Sequence, residues 1–182
     1  MSQCKQIIIV AIFLVLGSGA AAGQTSPPRT AERSPSKAIR PVVVLSAQSV
    51  ADVEKKLAAE NKVEDLIGGE GMQLRVAVQH EKNKTDAAAE LHDASDDVYY
   101  ITEGSATLVL GGTLEAPREV EPGEWRSARI LGGKTYEVAK GDLIIVPRGT
   151  PHQRNTGGKD FTMILIKVFA EPRRAMQSKP GR

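Results

Sequence analysis

The chain has 182 residues, 41% of them hydrophobic and 25% charged, with a formal net charge of +2. That length suits one domain with a modest core, and so small a charge gives no sign of a polyanion-binding surface. The single cysteine, Cys4, excludes a disulfide framework and a paired-cysteine zinc pattern.

Residues 1–22 read as an export signal: Lys5, the apolar run Ile7–Leu16, then the small residues Ala20-Ala21-Ala22. The run is shorter than the roughly 20 residues a spanning helix needs, so cleavage is expected, with release to the periplasm or the medium. The alternative is an uncleaved anchor; after cleavage no stable membrane insertion is expected. Residues 23–40, GQTSPPRTAERSPSKAIR, have too little apolar bulk to offset their ordering entropy and read as a disordered linker. Residues 171–182 read as a flexible basic tail. Because the excess positive charge sits in these two segments, no nucleic-acid partner is expected.

The domain is placed at residues 41–170. Pro41–Leu45 is apolar and β-branched, which predicts a short strand. Ser49 followed by Asp52 predicts a helix start, and Val50, Val53 and Leu57 share one helical face, with the end near Asn61. From residue 72 the pattern changes to period two and short apolar runs. Strands are predicted near 72–80, 86–92, 97–103, 105–110, 134–139, 142–146 and 160–169, joined by glycine-rich turns. The fold class is therefore all-β, a sandwich or barrel, with a short N-terminal strand and helix. The polar span 112–130 holds the only tryptophan, Trp125, and reads either as a binding loop or as a plain surface insertion.

Two stretches carry the chemistry. In Glu90-Leu-His92, the first and third side chains leave one face of a strand. Asp93–Asp96 then turn the chain, Asp97 opens the next strand, and Asp97, Tyr99 and Ile101 share a face. A hairpin here would bring His92 and Asp97 together. In Gly141–His152, an apolar strand ends at Pro147, Gly149 turns it tightly, and His152 begins the next run, able to join His92 and Asp97 from a facing sheet.

These stretches resemble the paired motifs of the cupin superfamily. Gly141, Pro147, Gly149 and His152 match the second motif in spacing, and Asn155 comes one residue early. In the first motif His92 takes the place of the second His, Asp97 that of the Glu, and Gly104 that of the closing Gly. Glu90 stands where the first His belongs, and Lys84 where the opening Gly belongs. The likeness spans roughly residues 70–170. It implies a double-stranded β-helix (a jelly-roll barrel) with the motif residues in its mouth; single-domain cupins commonly pair, and monomer and homodimer both stay open.

His92, His152 and Asp97 form a two-histidine, one-carboxylate face of the kind that holds Fe(II) and also suits Mn, Ni or Zn. Glu90 reads as a fourth ligand, a base beside the metal, or a solvated residue at the rim. Tyr99 and Glu90 are the candidate catalytic groups, with Ile101 and Trp125 as further contacts for a small-molecule substrate. Each residue also has a plain structural reading: His152 bonding inside its corner, Asp97 capping the turn, Asp93 serving the turn alone. His80, in phase with Val76 and Val78, reads as a strand-end residue, with an unorthodox ligand as the alternative.

No serine-nucleophile elbow or phosphate-binding glycine loop is present. Two functions stay open. One is a metal-dependent enzyme of the dioxygenase, isomerase or lyase type that the resemblance implies, acting on a small oxygenated molecule. The other is a non-catalytic cupin that binds a small ligand or a metal.

Overall fold

The computed structural model describes residues 35–85 and 87–173. The expected signal at 1–22, most of the linker and residues 174–182 lie outside the described residues. The chain divides into two units, 1–42 and 43–182. Of the first, residues 35–42 are described; they are irregular and exposed.

Among its described residues the second unit holds one helix, α1 (Ala47–Leu57), and thirteen strands. The first five strands are β1 (Lys62–Ile67), β2 (Leu74–Glu81), β3 (Ala89–His92), β4 (Ser95–Glu103) and β5 (Ser105–Leu110). Four short ones follow: β6 (Thr113–Leu114), β7 (Arg118–Glu121), β8 (Glu124–Ser127) and β9 (Ile130–Leu131). The last four are β10 (Lys134–Ala139), β11 (Leu143–Val146), β12 (His152–Asn155) and β13 (Phe161–Phe169). They build a five-stranded sheet, β1-β2-β13-β4-β11, a six-stranded sheet, β10-β5-β12-β3-β8-β7, and the small ribbon β6-β9. All pairings are antiparallel, and consecutive strands such as β3 and β4 fall in different sheets, as a jelly roll requires.

The apolar core lies between the two large sheets. Tyr99 and Ile101 from β4 and Phe161, Met163 and Leu165 from β13 meet Ala106 and Leu108 of β5. Period two explains the selection: alternate residues of β4 point inward, and its intervening residues are half-buried or exposed. Gly104 joins β4 to β5 with φ of +80°, and a Cβ there would overlap the Asp160 carbonyl oxygen, so only glycine fits the turn.

Several expectations need correction. Val43–Leu45 forms no ladder and is exposed; β-branched residues favour a strand only where a neighbouring strand accepts them. The helix begins earlier than predicted, because Ser46 is the cap, its Oγ accepting the Ser49 N–H at 3.0 Å. The predicted apolar stripe does turn inward, with Leu57 fully buried and Val50 and Val53 partly so. β1 was not foreseen, since KVEDLI is half exposed and alternates weakly. The span 112–130 is no structureless loop but carries β6 to β9. Among the described residues no helix is long and apolar enough to cross a membrane.

Candidate metal centre

The local sequence determines how each imidazole is aimed. His92 ends β3, and its cross-strand neighbour on β8 is Glu124. Glu124 Oε2 lies 2.6 Å from His92 Nδ1, so Nδ1 carries the proton and Nε2 keeps its lone pair. His152 opens β12 after the Pro147–Thr150 turn, which closes through Thr150 N–H to the Pro147 carbonyl at 3.1 Å. Its Nδ1 donates to the Thr150 carbonyl at 3.0 Å, so its Nε2 also presents a lone pair. The corner is tied to the other half of the site, because Gly149 N–H donates to the His92 carbonyl at 2.8 Å. The Arg148 guanidinium and N–H hold Asp96 in the turn before β4.

The two Nε2 atoms are buried and have no hydrogen-bond partner among the described residues. Glu90 Oε2 lies 3.7 Å from one and 3.8 Å from the other. One donor atom from each of Glu90, His92 and His152 falls within 4.8 Å of the others, the geometry of a face that can hold a metal ion. Two buried imidazoles with unsatisfied lone pairs turned toward one carboxylate oxygen are costly unless something binds them.

Asp97 stands beside this face, arriving from the opposite sheet. Its Oδ2 lies 3.5 Å from His92 Nε2 and accepts the Tyr99 hydroxyl at 3.2 Å. Its Oδ1 accepts Lys167 Nζ at 2.8 Å. β3 and β4 therefore do not close as the expected hairpin: a two-residue turn carries the chain across to the facing sheet. His152 shares a sheet with Glu90 and His92 and is the direct neighbour of Glu90 in register.

The electrostatics follow from burial and pairing. Burial opposes charge on Asp97, but His92 and Lys167 outweigh it and lower its pKa to about 2. Burial likewise opposes charge on His92, while Asp97 and Glu124 raise its pKa overall. Burial dominates at His152 and lowers its pKa, keeping it neutral. Burial and the Asp97 charge push the Tyr99 hydroxyl well above its ordinary value, so it stays protonated.

Deeper in the barrel, buried Glu81 accepts Arg154 through both guanidinium arms, at 2.5 and 2.9 Å, and Lys84 at 2.9 Å. The Arg154 guanidinium also lies over the Tyr99 ring at 5.6 Å. A cavity of about 70 Å³ reaches from Lys84 and Arg154 to Glu90, Asp97, Tyr99, His152 and Lys167. A wider groove of about 770 Å³ reaches Glu90, His92 and Lys167 from outside.

The architecture and both motif halves now coincide. The fold is a cupin barrel. Among solved structures the chain is similar to the Bacillus halodurans protein BH2720, at 19% identity over 76% of this chain and 88% of that one, with a TM-score of 0.49. It is also similar to the Schizosaccharomyces pombe Cnp3 cupin domain, at 14% identity over 59% and 63% of the two chains and a TM-score of 0.43. The iron(II) form of HppE is similar at 16% identity over 53% and 44%, with a TM-score of 0.39. No family model and no curated protein matches the chain.

Not every expected contact faces the site. Ile101 is buried in the core and Trp125 points away on the other face of β8, its Nε1 donating to Asp93 at 2.8 Å. His80 is buried elsewhere, its Nδ1 2.8 Å from the Thr162 hydroxyl, and belongs to no metal-competent cluster among the described residues. Glu124, Lys167 and the Glu81–Arg154 pair were not foreseen. Of these, only Lys167 left a trace in the sequence, as the lone charge within FTMILIKVF.

Proposed function

We propose that this barrel holds a divalent metal, Fe, Mn, Ni or Zn, between His92, His152 and a carboxylate, and acts as a metal-dependent enzyme on a small oxygenated molecule. The observation that carries the reading is the pair of buried, unpartnered Nε2 lone pairs converging on Glu90 Oε2. Bound there, such an ion supplies Lewis acidity and positions that exchange water for substrate.

The chain's own residues would do the rest. Glu124 and the Thr150 carbonyl hold both imidazoles in the ligating tautomer. Tyr99 remains protonated beside the site, its one proton on Asp97 Oδ2, so its hydroxyl oxygen is left to accept a hydrogen bond from the bound molecule. Glu90 is half exposed and faces both the inner cavity and the outer groove, which suits it to meet a molecule entering from outside. The reaction belongs, on this reading, to the dioxygenase, isomerase or lyase type. The leader read at 1–22 would deliver the protein outside the cytoplasm, where it would work alone or as a homodimer.

The test is metal stoichiometry of the mature protein, purified without chelator or histidine tag, followed by titration calorimetry with Mn(II), Fe(II), Ni(II) and Zn(II). About one equivalent, lost in His92→Ala and His152→Ala, supports the reading. No binding by the folded wild type would sink it. The small inner cavity favours a second reading, a non-catalytic cupin that captures a small ligand or an ion. A metal-loaded protein inert toward a panel of small hydroxy acids, enols and sulfonium compounds would favour that reading.

A further inference from the structure

Two carboxylates flank the imidazole pair, and their surroundings differ. Asp97 is buried at 2% exposure and has donors on both oxygens. Lys167 faces it directly across the β13–β4 ladder, with Nζ 2.8 Å from Oδ1 and 3.5 Å from the Ser95 hydroxyl. The Tyr99 hydroxyl takes Oδ2. Asp97 thus has a full set of partners from its own sheet. Glu90 Oε2, by contrast, points between the two Nε2 atoms, and the nearest cation to its carboxylate is Arg126, 3.5 Å from Oε1.

We propose, on the reading that the site holds a metal, that Lys167 is a positioning residue that keeps Asp97 out of the ion's inner sphere. Glu90, His92 and His152 are then the protein ligands. The physical reason is competition. Lys167 pins Oδ1. To reach the ion, Asp97 would have either to turn away from that partly buried ammonium, leaving it unpaired beside a second cation, or to give up the Tyr99 hydroxyl on Oδ2, the oxygen nearer His92. An octahedral ion held by three protein ligands keeps about three positions for exchangeable molecules, where a fourth ligand would leave about two. Three open positions admit a bidentate oxygen ligand and a further small molecule together. Two admit only the first. Lys167 therefore determines how many molecules can meet on the ion.

The experiment counts inner-sphere water on Mn(II) bound to the whole mature protein, by the relaxivity of water protons. Asp97→Asn keeps the shape and should leave the water count of the wild type unchanged. Lys167→Met frees the carboxylate and should lower relaxivity by about a third as Asp97 takes one position. The double variant Lys167→Met/Asp97→Asn should return to the wild-type value, which a merely structural role for Lys167 does not predict. If Asp97→Asn alone raises relaxivity, Asp97 is already a ligand and the proposal is wrong. Unchanged relaxivity in folded Lys167→Met also overturns it. Should Lys167→Met not fold, Asp97→Asn against Glu90→Gln still decides, since only the latter should raise the water count or shed the ion. If the folded wild type binds no Mn(II) and none of the other ions, the metal reading itself fails and this inference falls with it.

Discussion

His152 lies directly across from Glu90 in the ladder between β12 and β3. Neighbouring side chains of an antiparallel pair leave the same face of the sheet, so one backbone register sets the distance between an imidazole and a carboxylate that are 62 positions apart. His92, two residues along β3 from Glu90, completes the face without any further tertiary condition.

Replacing either histidine with alanine should therefore cost metal affinity by about 100-fold or more, because a three-ligand set has no spare donor. Glu90→His should retain the ion, since it places an imidazole where the resembled motif has its first one. Titration calorimetry, with circular dichroism to confirm folding, reads both.

Glu124 meets the far side of the His92 ring and pairs with Arg126 at 3.6 Å, so its effect on the ligating nitrogen should be indirect. Glu124→Ala is expected to weaken metal binding by roughly 10–100-fold while leaving the melting temperature close to that of the wild type. A change in melting temperature with unaltered affinity would mean that the 2.6 Å contact serves only to hold β8 against β3.

His80 provides the control. It is buried against Thr162, outside the cluster, and His80→Ala should keep full metal stoichiometry at some loss of stability. Loss of the ion in this variant, with the ion kept in His152→Ala, would show the site to be elsewhere.

Acid should act first on the barrel interior. Burial opposes the Glu81 charge, yet Arg154 and Lys84 lower its pKa from 4.5 to about 2. A lowered pKa stabilises the fold fully above about pH 4.5 and ceases to do so as pH falls through about 2, a contribution on the order of 3 kcal/mol. Arg154→Met leaves Glu81 buried without its main partner, which should cost about 3–5 kcal/mol at neutral pH, abolish the rise in stability between about pH 2 and 4.5, and make stability fall as pH rises above about 4.5. Chemical denaturation between pH 3 and 7 measures both effects.

Gly104→Ala should destabilise the protein by at least about 1–3 kcal/mol, since its φ of +80° is strained for alanine and the new methyl meets the Asp160 carbonyl. The proposed metal ligands are not touched. The ratio of metal affinity to stability in this variant separates a fold defect from a site defect.

The sequence made much of this legible because the relevant signals are local. β5 and β10 fall on the residues that alternation predicts, and Glu90, His92 and His152 sit where strand phase and the Pro-x-Gly corner aim them. What escaped depends on partners far along the chain. Glu124 is 32 residues from His92 and Lys167 is 70 from Asp97, and no periodicity states which strands of a barrel become neighbours. The strand expected at 41–45 failed for the same reason in reverse: the residues favour a ladder, but no described strand offers one.

The division of the site between the two sheets has a mechanical consequence. Glu90, His92 and His152 hang from adjacent strands of one sheet, whereas Asp97, Tyr99 and Lys167 belong to the other. Breathing of one sheet against the other would move a wall of the chamber and leave the three residues proposed to hold an ion undisturbed. On the proposed reading, entry and departure of small molecules would answer to sheet separation, and retention of an ion to hydrogen bonds within a single sheet.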